Sequence, residues 1–290
     1  MLVVTALITG LGLGSMYGLL ALGFHVTYAV SATVNFAQGS SMMLGAVFAY
    51  VFAVRLGFPL FVSVFIALSL CAAYGVLVER LAVRPFVRRG SNAWLMATVA
   101  LGIVADNTVL FTFGKEPRGF QMSWAQGGLD VAGVHVSFLQ LLIPVVGLAL
   151  AAALNLLKNN TKTGKAMLAV VQNPEAARLM GINVPVAISA AFALSTALAG
   201  VAGILIAPLF NVNADMGTVF GLKAFAVAIL GGITSAWGVM IAGLIFGLTE
   251  AMITSLLGSA YTQILSFTLV IVALALMPHG LFGRAEVKKV

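Results

Sequence analysis

Charge is what this sequence has least of. Only 8% of its 290 residues are Asp, Glu, Lys or Arg, where an ordinary soluble domain carries about 25%. None of them occurs before Arg55. So few charges cannot cover the surface of a water-soluble chain of this size. Cysteine is reduced to Cys71, inside an apolar run, which excludes a disulfide framework and a cysteine metal site. Histidine is confined to His25, His135 and His279, far apart and without the HExxH spacing of a zinc hydrolase. No GxSxG elbow is present. The nearest fragments to a phosphate-binding loop, Gly114-Lys115-Glu116 and Gly164-Lys165-Ala166, lack both the preceding glycine spacing and the Ser/Thr that would hold Mg²⁺. These absences argue against an intramembrane enzyme and against a nucleotide or metal site on this chain.

What fills the space is apolar: 61% of residues, with a mean hydropathy of +1.11. A spanning helix needs about 20 apolar residues, so a chain of this length accommodates about eight to ten crossings with short connections. No separate soluble domain fits beside them, and residues 1–290 read as one membrane domain. A transmembrane β-barrel would show alternating ten-residue segments rather than unbroken apolar runs. The expected fold is an all-α polytopic membrane protein of about eight to nine transmembrane helices with short broken or re-entrant segments. The N-terminal run lacks a charged flank and reads as a retained helix, not a cleavable leader.

The balance of 15 Lys+Arg against 8 Asp+Glu gives a net charge of +7. In a membrane chain this reflects retention of basic residues in cytoplasmic loops rather than nucleic-acid binding. Eleven of the fifteen fall in three groups: Arg80, Arg84, Arg88 and Arg89; Lys158, Lys162, Lys165 and Arg178; Arg284, Lys288 and Lys289. Segments 79–93, 158–184 and 284–290 are therefore assigned to the cytoplasmic side. Arg55, Lys115, Arg118 and Lys223 are scattered, or offset by Glu116, Asp130 and Asp215.

Apolar segments run over about 4–29, 40–54, 58–78, 94–113, 137–157, 186–209, 222–233, 236–257 and 261–282. Two are short. Segment 40–54 follows the uncharged polar stretch Asn35-Phe36-Ala37-Gln38-Gly39-Ser40-Ser41, and 222–233 ends in Gly231-Gly232 before Ile233-Thr234-Ser235. Short or glycine-interrupted apolar segments, one in each half, are the pattern of broken helices lining a pathway, because irregular backbone at that depth must face protein or water. Tight surface loops are the alternative. Gly10, Gly14 and Gly18, and Gly243 with Gly247, have the four-residue spacing that lets helix backbones approach closely in lipid. Asp106 and Glu250, with Lys223, are the charges inside apolar runs. Each is costly at mid-membrane unless paired or hydrated, and the first two either sit near helix ends or form an ion-coupling site.

The loop Thr161 to Val184 is the most informative stretch. Its second half reads as a short helix over 174–180: Asn173 caps it, Pro174 opens it, Glu175 suits its positive end, Arg178 its negative end, and Gly181 stops it. It would present Ala176, Ala177, Leu179 and Met180 on the aqueous side, as a docking surface or packed on its own membrane face.

Here the residues resemble a known family. Asn173-Pro174-Glu175-Ala176-Ala177 with Gly181-Ile182 resembles the coupling loop of ABC importer permeases of the branched-chain amino-acid class. Other blocks agree, in family order: Tyr17-Gly18-Leu19-Leu20-Ala21-Leu22-Gly23, Val34-Asn35-Phe36-Ala37, Met42-Met43-Leu44-Gly45-Ala46, Glu79-Arg80 with Arg84-Pro85, Gly221-Leu222-Lys223-Ala224-Phe225, Leu230-Gly231-Gly232 and Pro278-His279-Gly280-Leu281-Phe282-Gly283. The chain resembles the shorter of the two paired permeases. That resemblance implies a bacterial inner-membrane permease, not an enzyme, paired with a second homologous permease. Two cytoplasmic ATPase subunits would use the ATP, this chain would bind no cofactor, and a periplasmic binding protein would deliver solute. Asn173, Glu175, Ala176, Ala177 and Gly181 would couple to the ATPase. Asn35, Gln38, Gly39, Ser40, Gly231, Gly232, Thr234 and Ser235 are expected to line the pathway, as the polar breaks in apolar helices. Where the family has His-Gly-Glu after Asn-Phe-Ala, this chain has Gln38-Gly39-Ser40, which leaves the solute open among branched-chain amino acids, urea, short amides and aromatic acids. The competing class is an ion-coupled secondary transporter or channel using Asp106 or Glu250.

Overall fold

The computed structural model describes residues 2–120, 127–131, 134–277 and 280–283. The basic tail 284–290 lies outside these residues. In chain order the elements are α1 (Leu2–Ser31), α2 (Gln38–Tyr50), α3 (Leu60–Val78), α4 (Arg84–Val87), α5 (Trp94–Phe113), β1 (Gly128–Val131), β2 (Val134–Ser137), α6 (Phe138–Asn160), α7 (Lys162–Gln172), α8 (Pro174–Leu179), α9 (Val184–Ile206), α10 (Met216–Gly231), α11 (Ala236–Leu257) and α12 (Ser259–Leu276). Among the described residues, seven helical stretches are long and apolar enough to cross a membrane, and α10 is a shorter apolar helix. The all-α polytopic expectation holds. The small departure is an antiparallel hairpin, β1 against β2, in a connecting segment that shows no long apolar run.

Most helix limits follow the apolar runs to within a few residues, because run length decides them. α5 ends where Gly114 takes a φ of +96°, and α11 begins where the Ser235 hydroxyl accepts the Gly238 N–H at 3.1 Å. The expected short segment at 40–54 starts earlier and runs further: α2 continues through a π-helical turn, Val51–Arg55. A second π turn, Glu79–Val83, joins α3 to α4. There the Arg84 N–H bonds back to the Glu79 carbonyl, five residues away. Pro85 follows at once; it has no N–H and its ring crowds the carbonyl four residues back, which the wider π turn relieves.

The chain folds as two compact units interleaved in sequence. The first comprises residues 1–25, 123–153 and 223–290. Its seam is α1 against α11, built on the two glycine rows: a Cβ on Gly14 would lie 2.7 Å from the Gly243 carbonyl oxygen. α6 joins at Gly147, whose Cβ would stand 2.9 Å from the Met240 methyl and 3.3 Å from Ser15 Cβ. The spacing that signals close approach thus marks the interface itself.

The second unit comprises residues 26–122 and 154–222. α2 is its centre, buried on nearly every side from Gln38 to Ala49 and flanked by α3, α5 and α9. Backbone lies on backbone: a Cβ on Gly45 would clash with Gly200, and one on Gly203 would overlap the Met42 carbonyl. Where α9 meets α3, the Thr196 hydroxyl donates to the Cys71 carbonyl at 2.8 Å. At one end Tyr50 meets Phe113 and Phe120 edge to face.

Candidate functional site

The first polar break lies in the second unit. Ala32 takes a φ of +53° and ends α1; the chain then turns at Asn35, whose side-chain oxygen accepts the Ala37 N–H at 3.1 Å. Gln38, Gly39 and Ser40 follow as the first turn of α2 rather than as an open loop. Gln38 is fully buried and bonded both ways to Ser195: its amide donates to the Ser195 carbonyl at 3.1 Å and accepts from the Ser195 hydroxyl at 3.0 Å. Gly39 lies against Gly217 and Gly221, where a side chain would strike backbone. Ser40 faces the Asp106 carboxylate on α5, as does Thr218. One Asp106 oxygen, Oδ1, is buried without a hydrogen-bond partner, and so is the Asn35 amide nitrogen. Asp106 lies seven residues before the end of α5. It sits within α5 beside the start of α2.

The second break lies in the first unit. Gly231 packs on the backbone of Gly238 and Val239, and Gly232 takes a φ of +81° against Gly283. Thr234 is exposed, while Ser235 caps α11. The His25 ring bonds the Ile233 carbonyl at 2.7 Å, and the Leu281 N–H bonds the Leu230 carbonyl at 2.7 Å. Gly280 to Gly283 thus closes over the break, which joins two blocks that lie far apart in the sequence. Pro278 and His279 of the same block lie outside the described residues.

Glu250 lies deep in the first unit, 8% exposed. It accepts from Lys223 at 2.5 Å and from the Tyr17 hydroxyl at 3.0 Å. Two sequence expectations are corrected here. Lys223 is neutralised by Glu250 rather than offset by Asp215, and Glu250 is an internal pair rather than a helix-end charge. Twenty-seven residues separate the partners, so only the tertiary fold brings them together.

The basic loop forms two helices. α7 is one that sequence reading passes over, although Thr161 signals it by accepting the Gly164 N–H at 3.0 Å. α8 follows as expected, ending at Leu179. The Asn173 side chain accepts from the N–H groups of Glu175 and Ala176, both at 3.0 Å. At the other end Gly181 takes a φ of +83°, with Ile182 N–H on the Ala177 carbonyl and Gly181 N–H on the Arg178 carbonyl, both at 3.0 Å. That pair of bonds is a Schellman motif. Asn173, Glu175, Ala176 and Gly181 are exposed. Ala177 is buried, which corrects its place on the outer face: it is the residue that seats α8 on its neighbours. Leu179 and Met180 project outward instead, 89% and 82% exposed.

No group of three or more His, Cys, Asp or Glu side chains placed to hold a metal occurs among the described residues. No solved structure matches the chain. Curated relatives do. The chain is 33% identical to the high-affinity branched-chain amino acid transport system permease protein LivH of Escherichia coli K12, over 97% of this chain and 96% of that one. It is 32% identical to BraD of Pseudomonas aeruginosa, over 98% and 97%. A probable LivH of Methanocaldococcus jannaschii is 30% identical over 91% and 88%. The family model for the permease component of branched-chain amino acid transport systems matches residues 6–274, so nearly every helix described above falls within the match, and the chain belongs to that family.

Proposed function

We propose that this multi-pass membrane protein is the shorter of two homologous permeases of an ABC importer in a bacterial inner membrane. It forms half of a translocation pathway for branched-chain amino acids or a related small polar solute. ATP is bound and hydrolysed by two separate cytoplasmic subunits, and a periplasmic binding protein delivers the solute. The observation that carries the coupling part of this reading is α8. A helix of six residues is marginal alone, yet this one is closed at both ends and holds two large apolar side chains into solvent. Exposed apolar side chains on a capped, rigid element suit insertion into a cleft of a partner, and Glu175, Asn173 and Ala176 flank them. Closure of the ATPase pair would move α8 as a rigid body.

We propose further that Asn35, Gln38, Gly39 and Ser40, and Gly231, Gly232, Thr234 and Ser235, belong to the pathway-lining breaks. Each stretch is irregular or polar backbone flanked by apolar helix. Within the first stretch, Gln38 holds α2 to α9, and Asn35 and Ser40 are buried polar groups beside it.

Replacing Leu179 by Asp is expected to detach the ATPase, or to reduce solute-stimulated hydrolysis by about tenfold or more, with the permease still folded. Unchanged hydrolysis and unchanged co-purification in that variant would remove the coupling assignment. The ion-coupled alternative is weakened at Glu250, since a carboxylate already bound to an ammonium is not a free ion site; Asp106 carries no such ion pair among the described residues.

A further inference from the structure

Arg80, Arg84, Arg88 and Arg178 are not used by the coupling reading, yet they converge on two cavities in the second unit. The larger is an open groove of about 560 Å³ between the end of α3 and the start of α9. Arg80, Arg84 and Arg88 form its polar wall, and Val76, Val186 and Ala190 its apolar one. Arg84 is held in place: its Nε and Nη2 bind the two Glu79 oxygens at 2.9 and 2.8 Å, and Nη2 also reaches the Ser189 hydroxyl at 2.9 Å. Glu79 is buried, so its charge is consumed by that pair. Arg80 and Arg88 are exposed, and their guanidinium groups make no hydrogen bond or ion pair among the described residues. Two uncompensated guanidiniums thus stand over an apolar slot. A smaller cavity of about 230 Å³ shares Arg84 and Arg88 and reaches Arg178 on α8.

We propose that the groove binds the phosphate headgroup of an anionic phospholipid, with an acyl chain lying along Val76, Val186 and Ala190. Guanidinium groups match phosphate oxygens in charge and in planar geometry, and basic pockets between membrane helices take anionic headgroups. The walls decide against a soluble acidic partner. They belong to helices long and apolar enough to cross a membrane, and the neighbouring Leu77, Leu81 and Val186 are exposed apolar residues, a surface made for hydrocarbon. A free phosphate would satisfy the arginines and leave the apolar wall uncovered.

The test is native mass spectrometry of the full-length chain, purified in mild detergent with its associated subunits and titrated with phosphatidylglycerol or phosphatidylcholine. Phosphatidylglycerol is expected to be retained in preference. Replacing Arg80 and Arg88 by Gln should lower that retention by about 25-fold, roughly fivefold per arginine, with phosphatidylcholine unaffected. Arg88→Gln alone, at an exposed position, should give the single-residue effect if the double variant fails to fold. Equal retention of the two lipids, or unchanged phosphatidylglycerol retention in the variants, overturns the proposal. So does displacement of the lipid by millimolar inorganic phosphate, which would mark a free-anion site. Loss of the ATPase with lipid retention intact would assign the arginines to subunit docking instead.

Discussion

The two units solve one packing problem with different polar groups. In the first, α1 and α11 meet through Gly10, Gly14 and Gly18 against Gly243 and Gly247, and the polar contact beside them is ionic, Lys223 to Glu250 with Tyr17. In the second, α2 meets α9 through Gly45, Gly200 and Gly203, and the polar contacts are neutral, Gln38 with Ser195 there and Thr196 of α9 with the Cys71 carbonyl of α3 beside it. Glycine supplies proximity in both, since without water to expel, helix association rests on close van der Waals contact. The polar groups fix which residues face each other. An ionic contact does this at higher risk, because removing one partner strands a charge in a low-dielectric interior.

The largest expected effect comes from the shared feature. Gly203→Leu drives a side chain into the Met42 carbonyl, a backbone atom with no room to yield. Overpacking against backbone on a neighbouring helix leaves no rotamer to relieve it, so the variant should fail to fold, read as loss of monodisperse protein in detergent. Next comes the ionic contact. Glu250→Gln leaves Lys223 uncompensated, and thermal unfolding should show a loss of about 3–5 kcal/mol. Adding Lys223→Met should recover most of it; no recovery in the double variant would mean that the two side chains do not act as a pair. The neutral contact should matter less. Gln38→Leu is expected to cost about 1 kcal/mol, the usual scale for an interhelical hydrogen bond in a membrane. Equal losses for Gln38→Leu and Glu250→Gln would erase the distinction between the units. The smallest global effect belongs to Asn173→Ala. It removes a cap of about 1 kcal/mol from α8 alone, so proteolysis of the loop should quicken while the melting temperature of the whole protein stays put.

How far the sequence is legible depends on the range of the forces involved. Helices bounded by local signals are readable: α5 stops at Gly114, α11 starts at Ser235, and α8 has both its caps in the sequence. The hairpin escapes such a reading because its strands are four residues each, too short for a hydropathy run, although Leu129-Asp130-Val131 and Val134-His135-Val136 alternate around a Gly. α7 escapes it because it is only 11 residues long and its exposed face carries Lys162 and Lys165, so it gives no continuous apolar run. The π turn at 79–83 has a local cause in Pro85, yet no sequence rule places it. Glu250 with Lys223 and Gln38 with Ser195 are unreadable in principle, since each joins segments that lie far apart in the sequence. The resemblance blocks go further than spacing can. Leu230-Gly231-Gly232 and Gly280-Leu281-Phe282-Gly283, quoted as separate motifs, close over one break.

Asn173 both ends α7 and caps α8, with an extended backbone at φ −158° and ψ 101°. The two helices therefore meet at a single residue, with no slack chain between them. Mechanically this is a crank: one arm carries Leu179 and Met180, the other runs back as α7 toward α6. On the proposed coupling reading, a push on the outer arm reaches the inner one through that single residue rather than through a loop. On that reading, a glycine linker at the elbow should keep both helices folded and weaken solute-stimulated hydrolysis.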